Sequence, residues 1–247
     1  MSPIKKEPLL THDRNLLIGK IFAAGAIVSL ILEFVIFFFL TQSNAAVQLL
    51  SWVINFISAI LFIFVLFILR YYLLNFKMHR TRIALMTLII LSIIEFFYGK
   101  LSTVLMIFIG HFVHDYTYWF EVSGAIQSIL TMASHTALLI TGIMLIAGRG
   151  DFVGGLRALG VSFVLKAMAF VASIFVRNYM VDEYIANQES KEGLLGLMDM
   201  MSTHNGIEYI FSLIYSFGNI FTIIILFIFI WIMARAKKHT LYWQDPL

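Results

Sequence analysis

The chain has 247 residues, of which 61% are hydrophobic and 13% charged. Soluble domains carry about 25% charged residues, so this composition excludes an ordinary soluble globular protein. The net charge is +3 and there is no cysteine, which excludes disulfides, thiolate metal sites and cysteine nucleophiles.

Six apolar runs follow one another, at about 17–40, 47–73, 83–109, 124–147, 157–181 and 207–233. Each reaches the ~20 apolar residues that one membrane-crossing helix needs. The expected fold is all-α, a polytopic helical bundle of six transmembrane helices forming a single integral membrane domain over 1–247. Few residues remain outside the runs, so a separate soluble domain is not expected.

The first run follows Lys5, Lys6 and Arg14 and holds Lys20 in its first turn. It is too long for a signal-peptide core and lacks a small-x-small cleavage site, so it is read as a retained helix. Its polar positions are Gly25, Ser29 and Glu33. The second run offers Ser51, Asn55 and Ser58 and ends in a basic stretch with Arg70, Lys77, Arg80 and Arg82. The third offers Ser92, Glu95, Gly99 and Ser102, with Lys100 beside them. Tyr116, Tyr118, Trp119 and Phe120 then read as an interfacial aromatic belt.

The fourth run offers Gly124, Ser128, Thr131 and His135, and leads into Arg149 and Arg157. The fifth offers Ser162, Lys166, Ala169, Ser173 and Arg177. An acidic segment over 182–206 follows, with Asp182, Glu183, Glu189, Glu192 and Asp199 against Lys191; its GLLGLMDMM stretch is suited to a short helix lying on the membrane surface. The sixth run offers Glu208, Ser212, Tyr215, Asn219 and Thr222, then Arg235, Lys237 and Lys238.

Lysine and arginine thus gather in alternate loops, which predicts that the N- and C-termini are both cytoplasmic. There is no Asn-x-Ser/Thr sequon, and the expected location is a bacterial cytoplasmic membrane. The basic segments are accounted for by topology, so no nucleic-acid partner is expected; the lipid bilayer is the expected environment.

Within the runs the polar residues recur at spacings of three and four, which places them on one helix face. With the predicted topology most of them fall in the outer half of each run, while 59–69 and 223–233 hold no polar group. Helix packing through small residues accounts for most of the serines, glycines and alanines. Ionisable groups need more, because a charge at mid-bilayer costs ~2.5–3.5 kcal/mol on insertion scales. Glu33, Glu95, Lys100, His135, Lys166, Arg177 and Glu208 are therefore the candidate ligand-binding or proton-relay residues. Lys100, Lys166 and Arg177 suit an anionic group, while Glu95, His135 and Lys166 suit a proton relay. Three acids and three bases also suit an ion-pair network of purely structural meaning.

Other motifs are weaker. His111, His114 and Asp115, completed by Glu121 or His204, form a candidate divalent-metal site on the outer face. No other cofactor is expected. Met198, Met200 and Met201 before His204 are the residue types that hold copper, but also those of a flexible surface helix. No Walker A, HExxH or GxSxG pattern occurs, and no catalytic residue stands out.

Three functional classes remain open. The first is a permease-like transporter or transporter subunit with a polar, charge-lined cavity in its outer half. The second is an accessory or protective membrane protein that binds a protein partner. The third is an enzyme acting at the outer leaflet, the least favoured of the three. The six-span plan resembles, in architecture alone, the permease subunits of some ATP-driven exporters, which implies a second copy or an ATPase subunit as partner; fold by itself does not give function.

Overall fold

The computed structural model describes residues 13–39, 45–73, 78–112, 117–148, 153–189 and 218–235. It contains six long helices: α1 (Asp13–Phe39), α2 (Ala45–Tyr72), α3 (His79–Phe112), α4 (Thr117–Ala147), α5 (Val153–Glu189) and α6 (Gly218–Arg235). There is no strand among the described residues. All six are long and apolar enough to cross a membrane, the crossing parts being Leu16–Ile36, Leu49–Tyr72, His79–Ser102, Glu121–Ala147, Gly155–Phe175 and Gly218–Arg235. The protein is a multi-pass membrane protein of the all-α class.

The helices outrun the apolar runs. α3 continues through His111 and Phe112, and α4 begins at Thr117, so most of the aromatic segment is helical and not an open loop. α5 continues to Glu189, which makes Asp182 and Glu183 part of its last turns. Once a backbone is hydrogen-bonded within a helix, continuing it into the interface adds one bond per residue fixed, and polarity alone does not stop it. The GLLGLMDMM stretch and residues 207–217 lie outside the described residues.

Sequential helices pack side by side: α1 on α2, α3 on α4 and α4 on α5 closely, α2 on α3 more sparsely. α6 closes the ring. Gly19 of α1 brings its backbone near Phe229 of α6, and Gly155 of α5 lies against Trp231 and Ile232. Large side chains such as Leu32, Phe97, Ile129, Phe175 and Phe227 face outward, the expected surface of a bundle solvated by lipid tails.

The α4–α5 contact is a glycine seam. A Cβ on Gly160 would fall 2.6 Å from the Gly142 carbonyl oxygen, and one on Gly142 would fall 2.8 Å from the Gly160 carbonyl oxygen. Only residues without side chains allow backbones this close, and dispersion between close backbones is a main source of helix association in lipid.

The interior is divided along its length. The largest fully buried side chains, among them Leu16, Leu69, Leu85, Leu145, Leu159 and Phe229, occupy the half of the bundle nearest Arg70, Arg82, Arg157 and Arg235. Aromatic rings brace this basic end: the Arg235 guanidinium lies 4.1 Å from the Trp231 ring centre. Glu33, Asn55, Lys100, Thr131 and Thr222 lie toward the other half, while Thr81, Thr141 and Ser162 are buried within the basic half.

Candidate functional site

Among the described residues, the charged side chains inside the bundle form two groups, separated by α3. Glu95 and Lys100 are five residues apart on that helix, which turns them ~140° from one another and sets them ~7.5 Å apart along the axis. Lys100 meets α2, and Glu95 meets α4.

In the first group, Glu33 of α1 is buried, with 9% of its surface exposed. Its Oε1 accepts a hydrogen bond from Asn55 Nδ2 of α2 at 2.9 Å. The other end of the same amide, Oδ1, accepts one from Lys100 Nζ at 3.2 Å. Asn55 therefore stands between the acid and the base, its donor toward the carboxylate and its acceptor toward the ammonium. Lys100 Nζ also lies 5.0 Å from the Trp52 ring centre, over a face that attracts cations.

In the second group, both oxygens of Glu95 are held by hydroxyls of α4. Thr131 Oγ1 donates to Oε1 at 2.7 Å, and Ser134 Oγ to Oε2 at 2.5 Å. Thr131, Ser134 and His135 share a face because their spacings are three and four. His135 stacks on Phe170 of α5, ring centres 3.8 Å apart and planes at 17°. Its Nδ1 is 2.9 Å from the Thr131 carbonyl oxygen. A carbonyl only accepts, so Nδ1 carries the hydrogen and Nε2 is left for other work.

Lys166 of α5 reaches two other helices. Its Nζ donates to Thr222 Oγ1 of α6 at 2.7 Å and lies 4.9 Å from the Phe62 ring centre of α2. The charges of Glu95 and Lys166, and of each with His135, reach one another electrostatically. Among the described residues, however, no hydrogen bond or ion pair joins these three directly. Glu95, Lys100 and Lys166 are each held by a neutral partner, and Glu33 reaches Lys100 through one.

Arg177 lies in α5 and His111 in α3, whereas Glu208, His114, Asp115 and His204 lie outside the described residues. Among the described residues no group of three or more histidines and carboxylates comes together to hold a metal. Ser134, Trp52, Phe62 and Phe170 were not foreseeable as partners from charge alone. Ser134 carried a signal, three residues after Thr131; the rings carried none, since aromatics abound in any membrane helix. Gln127 of α4 packs 3.3 Å from where a Gly99 Cβ would stand, which explains why α3 has glycine there.

The two hydroxyl bonds to Glu95 give a measurable expectation. Replacing Thr131 with Val or Ser134 with Ala removes a hydrogen bond to a charged group, ~1.5–3 kcal/mol. Thermal unfolding in mild detergent should show both variants losing stability. Thr136→Val, whose exposed hydroxyl bonds only to its own helix at Met132, is the control and should be neutral.

Comparison of the chain with protein-family models, with curated proteins and with solved structures finds no match.

Proposed function

We propose that this protein is a permease-like transporter, alone or as a subunit, whose solute carries an anionic group that meets Lys166. The observation that carries this reading is the state of that ammonium. Lysine has three N–H donors, and among the described residues Lys166 uses one, on Thr222. Its other neighbour is an aromatic face, not a carboxylate. A buried cation kept without a direct counter-ion is costly, and in membrane helices such residues mark substrate or ion pathways. Glu95 lies within electrostatic reach, but its oxygens are occupied by Thr131 and Ser134, so it tempers the charge of Lys166 without quenching it.

In this reading the basic end faces the cytoplasm of a bacterial cell, and its close-packed apolar core is the seal. The polar half opens outward. The absence of native cysteine makes that directly testable. Cysteine at Ser29 or Ser173, both half-buried in the polar half, is expected to react with a membrane-impermeant thiol reagent added outside intact cells. Cysteine at Ile63 or Ile225 is expected to stay unlabelled. Equal protection at all four positions overturns the outward-facing cavity.

Transport itself is tested by reconstituting the purified protein into liposomes and following entry of a panel of small carboxylates, sulfonates and phosphate esters. The expected result is movement of one chemical class, lost on Lys166→Met. No movement of any class by folded protein, or movement indifferent to Lys166, overturns the assignment.

A further inference from the structure

The first charged group has a feature the second lacks. Both oxygens of Glu95 accept hydrogen bonds, but only one oxygen of Glu33 does. Among the described residues, its Oε2 is buried without a hydrogen-bond partner. An acid needs such an oxygen only if something else occupies it, because a buried ionised oxygen without a donor is among the costliest arrangements in a protein interior. The Asn55 amide donates from Nδ2 to Oε1, and its Oδ1 accepts from Lys100.

We propose that Glu33 is an exchangeable-proton site, in which Oε2 takes the proton and Asn55 links the carboxyl to Lys100. The chemistry is a simple addition. A proton from water adds to the Oε2 lone pair, converting carboxylate to neutral carboxylic acid, and leaves by the same route. Among the described residues the charged group that bears on Glu33 is Lys100 of α3; α2 contributes the neutral Asn55. With Glu33 ionised, the amide is held at both ends by opposite charges. With Glu33 neutral, the hold on the Asn55 NH2 weakens, and with it the anchoring of Lys100.

A metal ion fits this site less well. The Lys100 ammonium, one amide away, repels a second cation, and the amide oxygen that would help ligate it already accepts from Lys100. A proton removes the negative charge without needing further ligands.

Coupling of this proton to solute movement rests on the transporter reading, but the protonation does not, so the test is made on the protein without solute. Full-length protein in lipid nanodiscs is taken between acid and alkaline buffer while infrared difference spectra are recorded. The expected result is a carboxylic-acid carbonyl band at a frequency typical of a buried group, lost in Glu33→Gln and kept in Glu95→Gln. Asn55→Ala is expected to shift that band, because the hydrogen bond to Oε1 is gone; this arm holds even if Glu33→Gln fails to fold. A band unchanged by all three substitutions, or no band at all, overturns the proposal. So does a band displaced by sodium but not by choline, which makes the occupant a metal ion. If the band behaves as expected while liposomes move no anion, the transporter reading fails and the proton site stands.

Discussion

Lys166→Met is expected to separate function from stability. If the ammonium meets an anionic solute in a water-poor interior, removing it costs about 2–5 kcal/mol of binding, a loss of roughly 30-fold or more in affinity. The fold is expected to survive. Met is unbranched and apolar, of similar length, and replaces a buried charge whose burial was itself a cost. The bond lost is the one from Nζ to Thr222, which retains its own bond to the Gly218 carbonyl at 3.1 Å. The measurements are solute-dependent thermal shift and unfolding temperature on the same preparations. A variant that binds as the parent does, or one that melts well below it, would show Lys166 to be a packing residue.

Gly160 predicts the opposite separation. Gly160→Ala adds a methyl group 2.6 Å from the Gly142 carbonyl oxygen and 2.9 Å from Leu145 Cβ and Ile146 Cγ1. Neither a backbone carbonyl nor a Cβ can swing aside, so α4 and α5 must part. Overpacking of this kind costs typically 1–3 kcal/mol, and Gly160→Leu more. Unfolding temperature in detergent should fall for both, in that order. Gly124→Ala, where a Cβ would meet no atom within 4 Å, is the matched control and should be neutral or slightly stabilising through helix propensity. Equal stability of Gly160→Ala and Gly124→Ala would mean the seam yields without cost.

The six helices were legible because their signal is large. Twenty apolar residues in a row have few other physical explanations. Their ends were not: polarity marks where the hydrocarbon stops, and α3 and α5 simply continue as helix beyond it. The stripe of polar positions gave Glu33, Asn55, Glu95, Thr131, Lys166 and Thr222 as residues of interest, since spacing of three and four fixes a helix face, while Lys100 stood out by its charge. It did not show that they form two groups. That depends on the angle between Glu95 and Lys100 around α3 and on which neighbour stands on each side, and contacts between helices leave no periodic trace. Nor did charge counting show that neutral groups, not opposite charges, hold the ions. Three acids and three bases pair on paper, whereas among the described residues amide and hydroxyl groups reach Glu33, Glu95, Lys100 and Lys166 first.

The order in which those partners arrive along the chain matters while the protein is being made. Glu33 is met by Asn55 from the very next helix, Glu95 by Thr131 and Ser134 from the next, and Lys166 by Thr222 from the next. Each hairpin, α1–α2, α3–α4 and α5–α6, therefore carries its own deep charge together with the group that satisfies it. A nascent chain emerges N-terminus first. Released from the insertion machinery in pairs, it need never expose Glu33, Glu95 or Lys166 to bare lipid for longer than one helix takes to follow. Lys100 looks backward, to an Asn55 already in place. A chain stopped after α5 would strand the Lys166 ammonium without the hydroxyl of Thr222.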